Sequence, residues 1–458
     1  MTDTVWTLTL CLVALVALLV LRRRMPVAFW WLVGYPLVAL RVITTYRATM
    51  DACGLTVPAS AVRRATARLV GREAAPVPPR RSFPLPTGSG LVMRLRMAAG
   101  QAPEDFIASA DRLRHAWAAH AVHIRPTKPG WLELRLIGWD VLADVRRPLR
   151  RPKDGGLLSL PLALRDDGRW HVRDFRAVPH ELILGATQSG KSVYLRNLLC
   201  GLARQPVVLV GIDCKWGVEL APFAPRLSAL ADTPDRANEL LDALLDEMEA
   251  RFRLIGLNSA VGPDTVLTSD VWGLPEKVRP VPVVVVVDEV AELFLAASRD
   301  DEKRRDAMVT KLIRIAQLGR AAGIYLEVCG QRFGSELGKG ATMLRAQLTG
   351  RICHRVNDES SANMALADIS PEAALAATAI PAERPGVTIV GDSSGGWSRA
   401  RSPHVTLDEA AAVCRATSAL VPELPHLDAF RPAFAAAVEP AGTTSPVTPA
   451  PTARPVTE

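Results

Sequence analysis

The stretch Gly185-Ala-Thr-Gln-Ser-Gly-Lys-Ser192 decides the fold of this 458-residue chain. It matches the pattern G-x-x-x-x-G-K-[ST], in which a glycine-rich loop wraps phosphate groups between a strand and a helix. The context fits, because Glu181–Leu184 is a short apolar run and leucines recur at helical spacing over residues 195–202. We therefore predict a nucleotide-binding loop within an α/β domain.

The loop predicts ATP and Mg²⁺ as ligands. Glycines allow backbone angles that other residues resist, and the loop N–H groups with the helix N-terminus bind an anion. Lys191 is expected to neutralise the β- and γ-phosphates, and the Ser192 hydroxyl to bind Mg²⁺. The predicted nucleotide contacts are Gly185, Ala186, Thr187, Gln188, Ser189, Gly190, Lys191 and Ser192.

A second signal is the run Val283–Val287, which is followed by Asp288 and Glu289. Five consecutive valines indicate a strand that is buried on both faces, as in a parallel sheet. Ligands bind at the carboxyl ends of such strands. We predict that Asp288 binds Mg²⁺ and that Glu289 polarises an attacking water, so that the site hydrolyses ATP.

Polar residues follow two further predicted strands. Gln331 lies just past the strand Ile324–Cys329, where an amide could contact the γ-phosphate or the attacking water. Asp213 follows the strand Pro206–Ile212 and is either a structural cap or part of the site. The pattern over residues 151–403 predicts an α/β fold, in which a mostly parallel sheet with helices carries the P-loop.

The N-terminal residues 1–45 are predicted to anchor the chain in a membrane. Val5–Leu21 is almost wholly apolar and is followed by three arginines, Arg22–Arg24. A second apolar stretch, Val27–Leu40, contains Gly34 and Pro36. One span with an interfacial second segment places both these arginines and the rest of the chain in the cytoplasm, as the positive-inside rule favours. A two-span hairpin would place the arginines outside, and it stays open as the alternative.

Four further segments are predicted from composition and periodicity. Residues 46–87 form an Arg/Ala-rich and then Pro-rich linker, and residues 88–150 form a small α/β adaptor with one helix over Ala102–Ala121. Residues 404–436 form a short helical segment, and residues 437–458 a disordered Pro/Thr-rich tail.

Overall composition supports a basic, reduced protein. The formal net charge of +8 suits a phosphate-rich partner or an anionic bilayer, although an arginine-rich composition alone would also explain it. The seven cysteines include no C-x-x-C pair, so we predict no disulfide framework and no zinc site. His115, His120, His123 and His354 are also spread without metal-ligand spacing.

Six motifs occur in the order found in the FtsK/SpoIIIE family of DNA translocases, which the chain resembles over residues 155–400. They are GATQSGKS, IDCKWGVEL, EMEARF, VVVVVDEVAEL, LGRAAGIYLEVCGQR and TGRICHRV. The upstream phrase RPTKPGWLELRLIGWDVL resembles the transfer proteins of actinobacterial conjugative plasmids and integrated elements.

The resemblance implies a RecA-like P-loop ATPase that assembles as a homo-oligomeric, hexameric ring and threads double-stranded DNA beside other transfer proteins. Such rings complete each ATP site with a neighbour's arginine, and motif position nominates Arg320 and Arg351. The chain departs from the family at Gln188, Cys214 and Gly330–Phe333 without losing a catalytic group. The short segment after residue 404 implies sequence-independent contact with phosphates.

These features predict a membrane-anchored, ATP-driven translocase of double-stranded DNA for conjugative transfer, with its motor in the cytoplasm. Two alternatives remain open at this stage. One is a type VII-like protein-secretion ATPase, although such proteins usually carry several ATPase modules and this chain has one P-loop. The other is a nucleotide-gated membrane scaffold with little hydrolysis, which an intact Glu289 disfavours.

Overall fold

A computed structural model describes residues 2–71, 73–143, 155–259, 267–334, 337–392 and 395–432. Residues 146–153, which are rich in arginine, and the predicted tail at residues 437–458 lie outside these ranges. The first part of the chain contains α1 (Thr2–Arg24), α2 (Pro26–Phe29), α3 (Tyr35–Ala52), α4 (Ala61–Leu69), β1 (Arg80–Arg81), β2 (Leu85–Pro86), β3 (Gly90–Arg96), α5 (Pro103–Ala108), α6 (Ala110–Ala116), β4 (Ala121–Lys128) and β5 (Trp131–Ile137).

The second part contains β6 (Ser159–Arg165), β7 (Trp170–Asp174), β8 (His180–Leu184), α7 (Lys191–Ala203), β9 (Val208–Ile212), β10 (Ala229–Ala231), α8 (Pro234–Ser259), β11 (Val283–Val287), α9 (Arg299–Ala322), β12 (Ile324–Gly330), α10 (Ala341–Gln347), β13 (Gly350–His354), α11 (Glu359–Leu366), α12 (Pro371–Thr378), β14 (Val387–Asp392), β15 (Trp397–Arg401) and α13 (Leu407–Ala416). Short 3₁₀ turns at Ser418–Leu420 and Pro425–Phe430 follow α13.

Two N-terminal helices are long and apolar enough to cross a membrane: Val5–Arg24 and Pro26–Ala52. The second is continuous, because a π-helical segment at Trp30–Gly34 joins α2 to α3. Met25 separates it from α1 with non-helical angles, φ −134° and ψ 65°, and Pro26 then starts the new helix.

The predicted adaptor is built on a five-stranded antiparallel sheet in the order β1-β3-β5-β4, with β2 also paired to β3. Its apolar face packs on α5, α6 and α3. The single helix predicted over Ala102–Ala121 was wrong: Ser109 divides it into α5 and α6, and residue 121 already begins β4. Phe106, Leu113 and Trp117 nevertheless share the buried face, as their spacing indicated.

The segment predicted as a linker, residues 46–87, instead begins with the last turns of α3 and packs against the adaptor. Tyr46 and Met50 of α3 are buried in the adaptor core, and so is Leu55. Val57 forms an antiparallel bridge with Val77. Besides the end of α3, the segment contains the helix α4, whose N-cap Ser60 accepts a hydrogen bond from the Arg63 N–H.

A ten-stranded sheet forms the second unit, in the order β10-β9-β11-β12-β8-β13-β14-β15-β6-β7. The six strands from β10 to β13 are parallel, and the remaining four are antiparallel. Both faces carry apolar cores, which explains the uninterrupted valines of β11. The predicted α/β class with a mostly parallel core sheet is thereby confirmed.

Candidate nucleotide site

The predicted phosphate loop joins β8 to α7 at the carboxyl edge of the parallel sheet. Gly190 has φ +106°, which favours glycine, and it caps the N-terminus of α7. A side chain at Gly190 could not fit, because its Cβ would lie 2.3 Å from the Gly386 backbone nitrogen. The Gly386 N–H donates to the Ser189 carbonyl at 2.8 Å, so the chain just before β14 holds the loop from one side.

Gln188 also lies in the left-handed region, with φ +61°, and its side chain is exposed. A non-glycine residue there costs roughly 1–2 kcal/mol relative to the right-handed region. The departure from the family at Gln188 therefore carries a conformational cost. The loop conformation is retained although its glycine-favouring angle is occupied by glutamine.

Below the loop, Gly185 lies against the ring of His354. A Cβ at Gly185 would lie 2.8 Å from the His354 Cβ and 2.5 Å from the Ser189 Oγ. His354 is fully buried and stacks edge-on with Tyr194 of α7, their ring centroids 6.0 Å apart. Burial lowers the pKa of His354 to about 4, so this histidine is a neutral packing group beneath the loop.

The structure brings four predicted catalytic residues together: Lys191, Asp288, Glu289 and Gln331. The Lys191 Nζ lies 3.4 Å from the Glu289 Oε2 and 3.4 Å from the Asp288 carbonyl oxygen. The Gln331 backbone N–H donates to the Glu289 Oε1 at 3.3 Å. Both carboxylates are almost fully buried at the end of β11.

Lys215 is a cation at this site for which the sequence suggested no role. Its Nζ lies 3.7 Å from the Glu289 Oε2 and 4.0 Å from the Asp288 Oδ2. It is placed there because β9 is hydrogen-bonded to β11, so residues just past the two strand ends meet at one edge. A charged residue following a buried strand was the available signal.

Asp213 is a structural cap of the turn that carries Lys215. Its Oδ1 accepts from the Lys215 N–H at 3.2 Å, and its Oδ2 accepts from the Glu219 and Leu220 N–H groups at 2.8 and 3.1 Å. These bonds hold the turn although Trp216 adopts φ +63°. Of the two readings that the sequence left open, the geometry supports the cap.

Burial and neighbouring charge shift the titration of the site in opposite directions. Burial raises the pKa of Asp288 to about 6, although Lys191 and Lys215 favour its ionised form. For Lys191, burial lowers the pKa, but the neighbouring acidic groups, first Cys329 and then Glu289 and Asp288, outweigh burial and hold it above the ordinary value. The free site therefore balances buried negative charge against two ammonium groups, and it is suited to receive a cation and phosphates.

A cleft of about 420 Å³ opens from these carboxylates to solvent. Its lining residues include Lys215, Glu289, Gln331, Arg332 and Asp358. Arg332 is bound to Asp358, with 2.8 Å between the guanidinium Nη2 and the Oδ2. Water and a ligand can therefore reach Glu289 through this cleft.

The two arginine candidates lie in different environments. Arg320 is exposed in the last turn of α9, just before Gly323 ends that helix with φ +70°. Arg351 is buried within its own subunit, and its Nη2 lies 2.8 Å from the Asp368 Oδ2 and 3.1 Å from the Arg345 carbonyl. The structure does not bring either one to the site in the same chain, and the contacts of Arg351 are those of an internal structural residue.

Comparison with known proteins places the chain. Residues 145–335 match the FtsK/SpoIIIE family, and residues 16–138 match the actinomycete conjugal transfer protein N-terminal domain. The transfer protein TraSA of Streptomyces ambofaciens is 56% identical over 403 residues, which are 86% of this chain and 96% of that protein. The chain belongs to the FtsK/SpoIIIE family. The resemblance noted from the six motifs is thereby confirmed.

More distant members are similar over about half of the chain. The DNA translocase FtsK of Streptococcus pyogenes is 32% identical over 267 residues, which are 54% of this chain and 32% of that protein. Among solved structures, the conjugation coupling protein TcpA of pCW3, in its monomer form with ATPγS, has a TM-score of 0.54 at 18% identity. That alignment covers 81% of this chain and 98% of TcpA, and it concerns the fold. Family and fold together support ATPase activity and nucleotide binding.

Proposed function

We propose that this chain is a membrane-anchored ATPase that drives double-stranded DNA through a homo-oligomeric ring during conjugative transfer. The observation that carries the proposal is the meeting of Lys191 with Asp288 and Glu289 at one sheet edge. The similarity to a transfer protein over nearly its full length supports the biological role.

The chain's own residues supply the steps of hydrolysis. When ATP enters, Lys191 moves its ammonium group from Glu289 to the phosphates, and the loop N–H groups bind the β-phosphate. Glu289 then accepts a proton from the water that attacks the γ-phosphorus. The bond between the γ-phosphorus and its bridging oxygen breaks, and ADP leaves with phosphate. Gln331 is proposed to contact the γ-phosphate or that water.

The donor set suits Mg²⁺, because Ser192 offers a hydroxyl and Asp288 a carboxylate, both hard oxygen ligands. Mg²⁺ bound there would neutralise phosphate charge during transfer. Lys191 and Lys215 contact the carboxylates in the present arrangement, which indicates that this edge attracts positive charge.

In a ring, we place Arg320 at the nucleotide site of the neighbouring subunit. Arg320 precedes β12, whereas the phosphate loop follows the carboxyl end of the adjacent strand β8. The seven residues of β12 separate the two edges by roughly 23 Å. An exposed arginine at that distance cannot reach its own nucleotide, but it can face the site of the next subunit.

The first experiment is steady-state ATPase activity of the full chain in lipid nanodiscs, with and without linear duplex DNA. We expect duplex DNA to raise the rate several-fold, and the stimulation to fall steeply with added salt because the contacts are to phosphates. Lys191→Ala and Glu289→Gln should abolish hydrolysis. Lys303→Ala, which removes an exposed lysine of α9 that is paired with Asp300, is the matched control.

The outcomes separate the proposed role from its alternatives. Hydrolysis that DNA leaves unchanged at every salt concentration would contradict the DNA motor and favour a protein cargo. Nucleotide binding without hydrolysis, in protein that still assembles, would favour a nucleotide-gated scaffold. Stimulated hydrolysis would justify a triplex-displacement assay for translocation.

A further inference from the structure

The helix Pro26–Ala52 presents two different faces. One face is buried in the adaptor and includes Trp30, Val42 and Met50. The other face is exposed and apolar over its first four turns. Its exposed residues are Val27, Trp31, Leu32, Leu37 and Leu40, with exposed fractions of 48–70%.

The buried face is fastened from its first turn. The Trp30 ring lies against Gly138 so closely that a Cβ there would be 2.1 Å from the ring. Its Nε1 donates to the Thr87 carbonyl at 3.0 Å. Only Pro26–Phe29, about 6 Å of helix, precede this contact.

The proline-rich segment continues the attachment along the helix. The Tyr35 hydroxyl donates to the Pro84 carbonyl at 3.0 Å, and the Tyr46 hydroxyl donates to the Pro79 carbonyl at 2.9 Å. From Trp30 to Tyr46 the helix is therefore bound to the adaptor over roughly 24 Å. A bilayer core is about 30 Å thick, so a span through this helix would bury the adaptor in lipid.

The adaptor surface near this helix cannot enter hydrocarbon. Arg80 and Arg81 lie within the segment that binds the helix, and Arg94 and Arg96 are exposed on the paired strand β3. Charged side chains at bilayer depth are strongly unfavourable, as are irregular backbone segments that face lipid. A second span is thus incompatible with the observed docking.

We propose that α1 alone crosses the membrane and that the exposed face of Pro26–Ala52 lies on the cytoplasmic surface of an anionic bilayer. The exposed face of this helix begins next to the proposed span, because only Met25 separates the helix from α1. Its charge fits as well: Arg22–Arg24 precede the apolar stripe, and exposed Arg41 and Arg47 follow it. Basic residues flanking an apolar helix face favour an interfacial position on anionic lipid.

Two residues of the adaptor extend the apolar surface. Phe83 and Leu85 are 63% and 58% exposed and flank Pro84, whose carbonyl binds Tyr35. Aromatic and aliphatic side chains at that position would enter the headgroup boundary together with Trp31. The surface therefore orients the adaptor, and through it the motor, against the bilayer.

Cysteine labelling in intact protoplasts distinguishes this arrangement from a hairpin, in a Cys11→Ser background. One span places residue 2 outside and residue 25 inside, whereas a hairpin reverses both. We expect an impermeant maleimide to label Thr2→Cys but not Met25→Cys. Labelling of Met25→Cys from outside would overturn the inference. Lys128→Cys is the internal control that reacts only after lysis.

Depth measurement tests the surface contact itself. Fluorophores at Val13→Cys, Leu37→Cys and Lys128→Cys are quenched by lipids labelled at known depths, in nanodiscs containing phosphatidylglycerol. We expect residue 13 near the midplane, residue 37 at the headgroup boundary and residue 128 in water. A depth near the midplane at residue 37 would indicate a second span. A position of residue 37 in water would contradict the proposed contact between this helix and the membrane surface.

The inference rests on the proposed membrane anchor, and the two can fail separately. If alkaline carbonate extracts the whole chain from membranes, then both the proposed anchor and the proposed membrane contact of Pro26–Ala52 are wrong. If the chain resists extraction but residue 25 is labelled from outside, the anchor stands and only the single-span arrangement is wrong.

Discussion

At the scale of single residues, the surroundings of Asp288 disfavour its ionised form. Its carboxylate is buried, and burial raises its pKa to about 6. An unfolded aspartate titrates near 3.9. The folded state therefore binds this proton more tightly than the unfolded state, so the contribution of Asp288 to stability improves as pH falls from 6 to 4 and is unfavourable above pH 6.

Asp288→Asn is accordingly expected to stabilise the nucleotide-free protein at pH 7.5 while abolishing hydrolysis. Each pKa unit corresponds to about 1.4 kcal/mol, so we expect a gain of roughly 1–3 kcal/mol in the free energy of unfolding. The gain should disappear near pH 4, where the carboxyl is protonated. Urea unfolding across pH measures it, with exposed Asp300→Asn as control, and a variant less stable than wild type at pH 7.5 would contradict the argument.

Lys215 shows what residue patterns alone could not supply. The phosphate loop and Asp288-Glu289 are local signals, in which a few adjacent residues carry both the element and the chemistry. Lys215 acquires its position from the pairing of β9 with β11, which joins residues some 75 positions apart. Its proximity to Glu289 depends on that pairing, so the sequence indicated its place beyond a strand but not its partner.

At the scale of elements, the parallel core could be predicted because its buried strands are continuous apolar runs. The position of the helix Pro26–Ala52 was harder to predict, because apolar residues occupy two of its faces. One face is packed against the adaptor and the other is exposed. Its attachment depends on Trp30 meeting Gly138, a contact between distant parts of the chain. The strand β4 was hard to predict for a similar reason. It contains Pro126, and it forms a strand because it pairs with β5.

A buried ionic cluster fixes the strand behind the phosphate loop. Arg173 of β7 donates to the Glu327 Oε1 of β12 at 2.8 and 2.6 Å, and Glu181 of β8 lies directly opposite Glu327 in the sheet. Tyr194 of α7 donates to the Glu181 Oε2 at 3.1 Å. Burial, together with the charge of Glu181, raises the pKa of Glu327 well above its usual range, although Arg173 opposes this.

Because one arginine serves two buried carboxyls, the pair retains a proton. We expect Arg173→Met to lower the free energy of unfolding by roughly 3–5 kcal/mol, since it leaves buried acids without a cation. Glu327→Gln removes charge but keeps a hydrogen-bonding group, and should change stability by about 1 kcal/mol or less. Chemical unfolding of both variants tests this, and equal losses would show that the cluster is not held by its charge.

At the scale of the whole molecule, the adaptor contacts the motor close to the phosphate loop. Arg384 binds Asp140 of the adaptor, and Gly386, two residues later, holds Ser189 of the loop. His123 and Asp166 add a second junction, with 2.9 Å between the Nε2 and the Oδ2. The exposed face of Pro26–Ala52, the adaptor and the nucleotide loop are thereby joined through a short series of direct contacts.

A ring assembly makes a prediction that a single subunit cannot satisfy. Arg320→Ala and Lys191→Ala should each lose hydrolysis by several powers of ten when assembled alone, because each site lacks one essential cation. In an equal mixture, a site is complete when its own subunit supplies Lys191 and its neighbour supplies Arg320. For independent sites and random assembly this gives about a quarter of wild-type activity.

Arg351 provides the matched comparison in the mixing experiment. Its guanidinium is bound to Asp368 and to backbone carbonyls within its own subunit, so Arg351→Ala should lower stability and should not be complemented by Lys191→Ala. ATPase rates measured across mixing ratios distinguish the two arginines. If neither mixture recovers activity although mixed rings form, another residue completes the site; if the Arg351→Ala mixture recovers, that side chain leaves its buried position in the assembled ring.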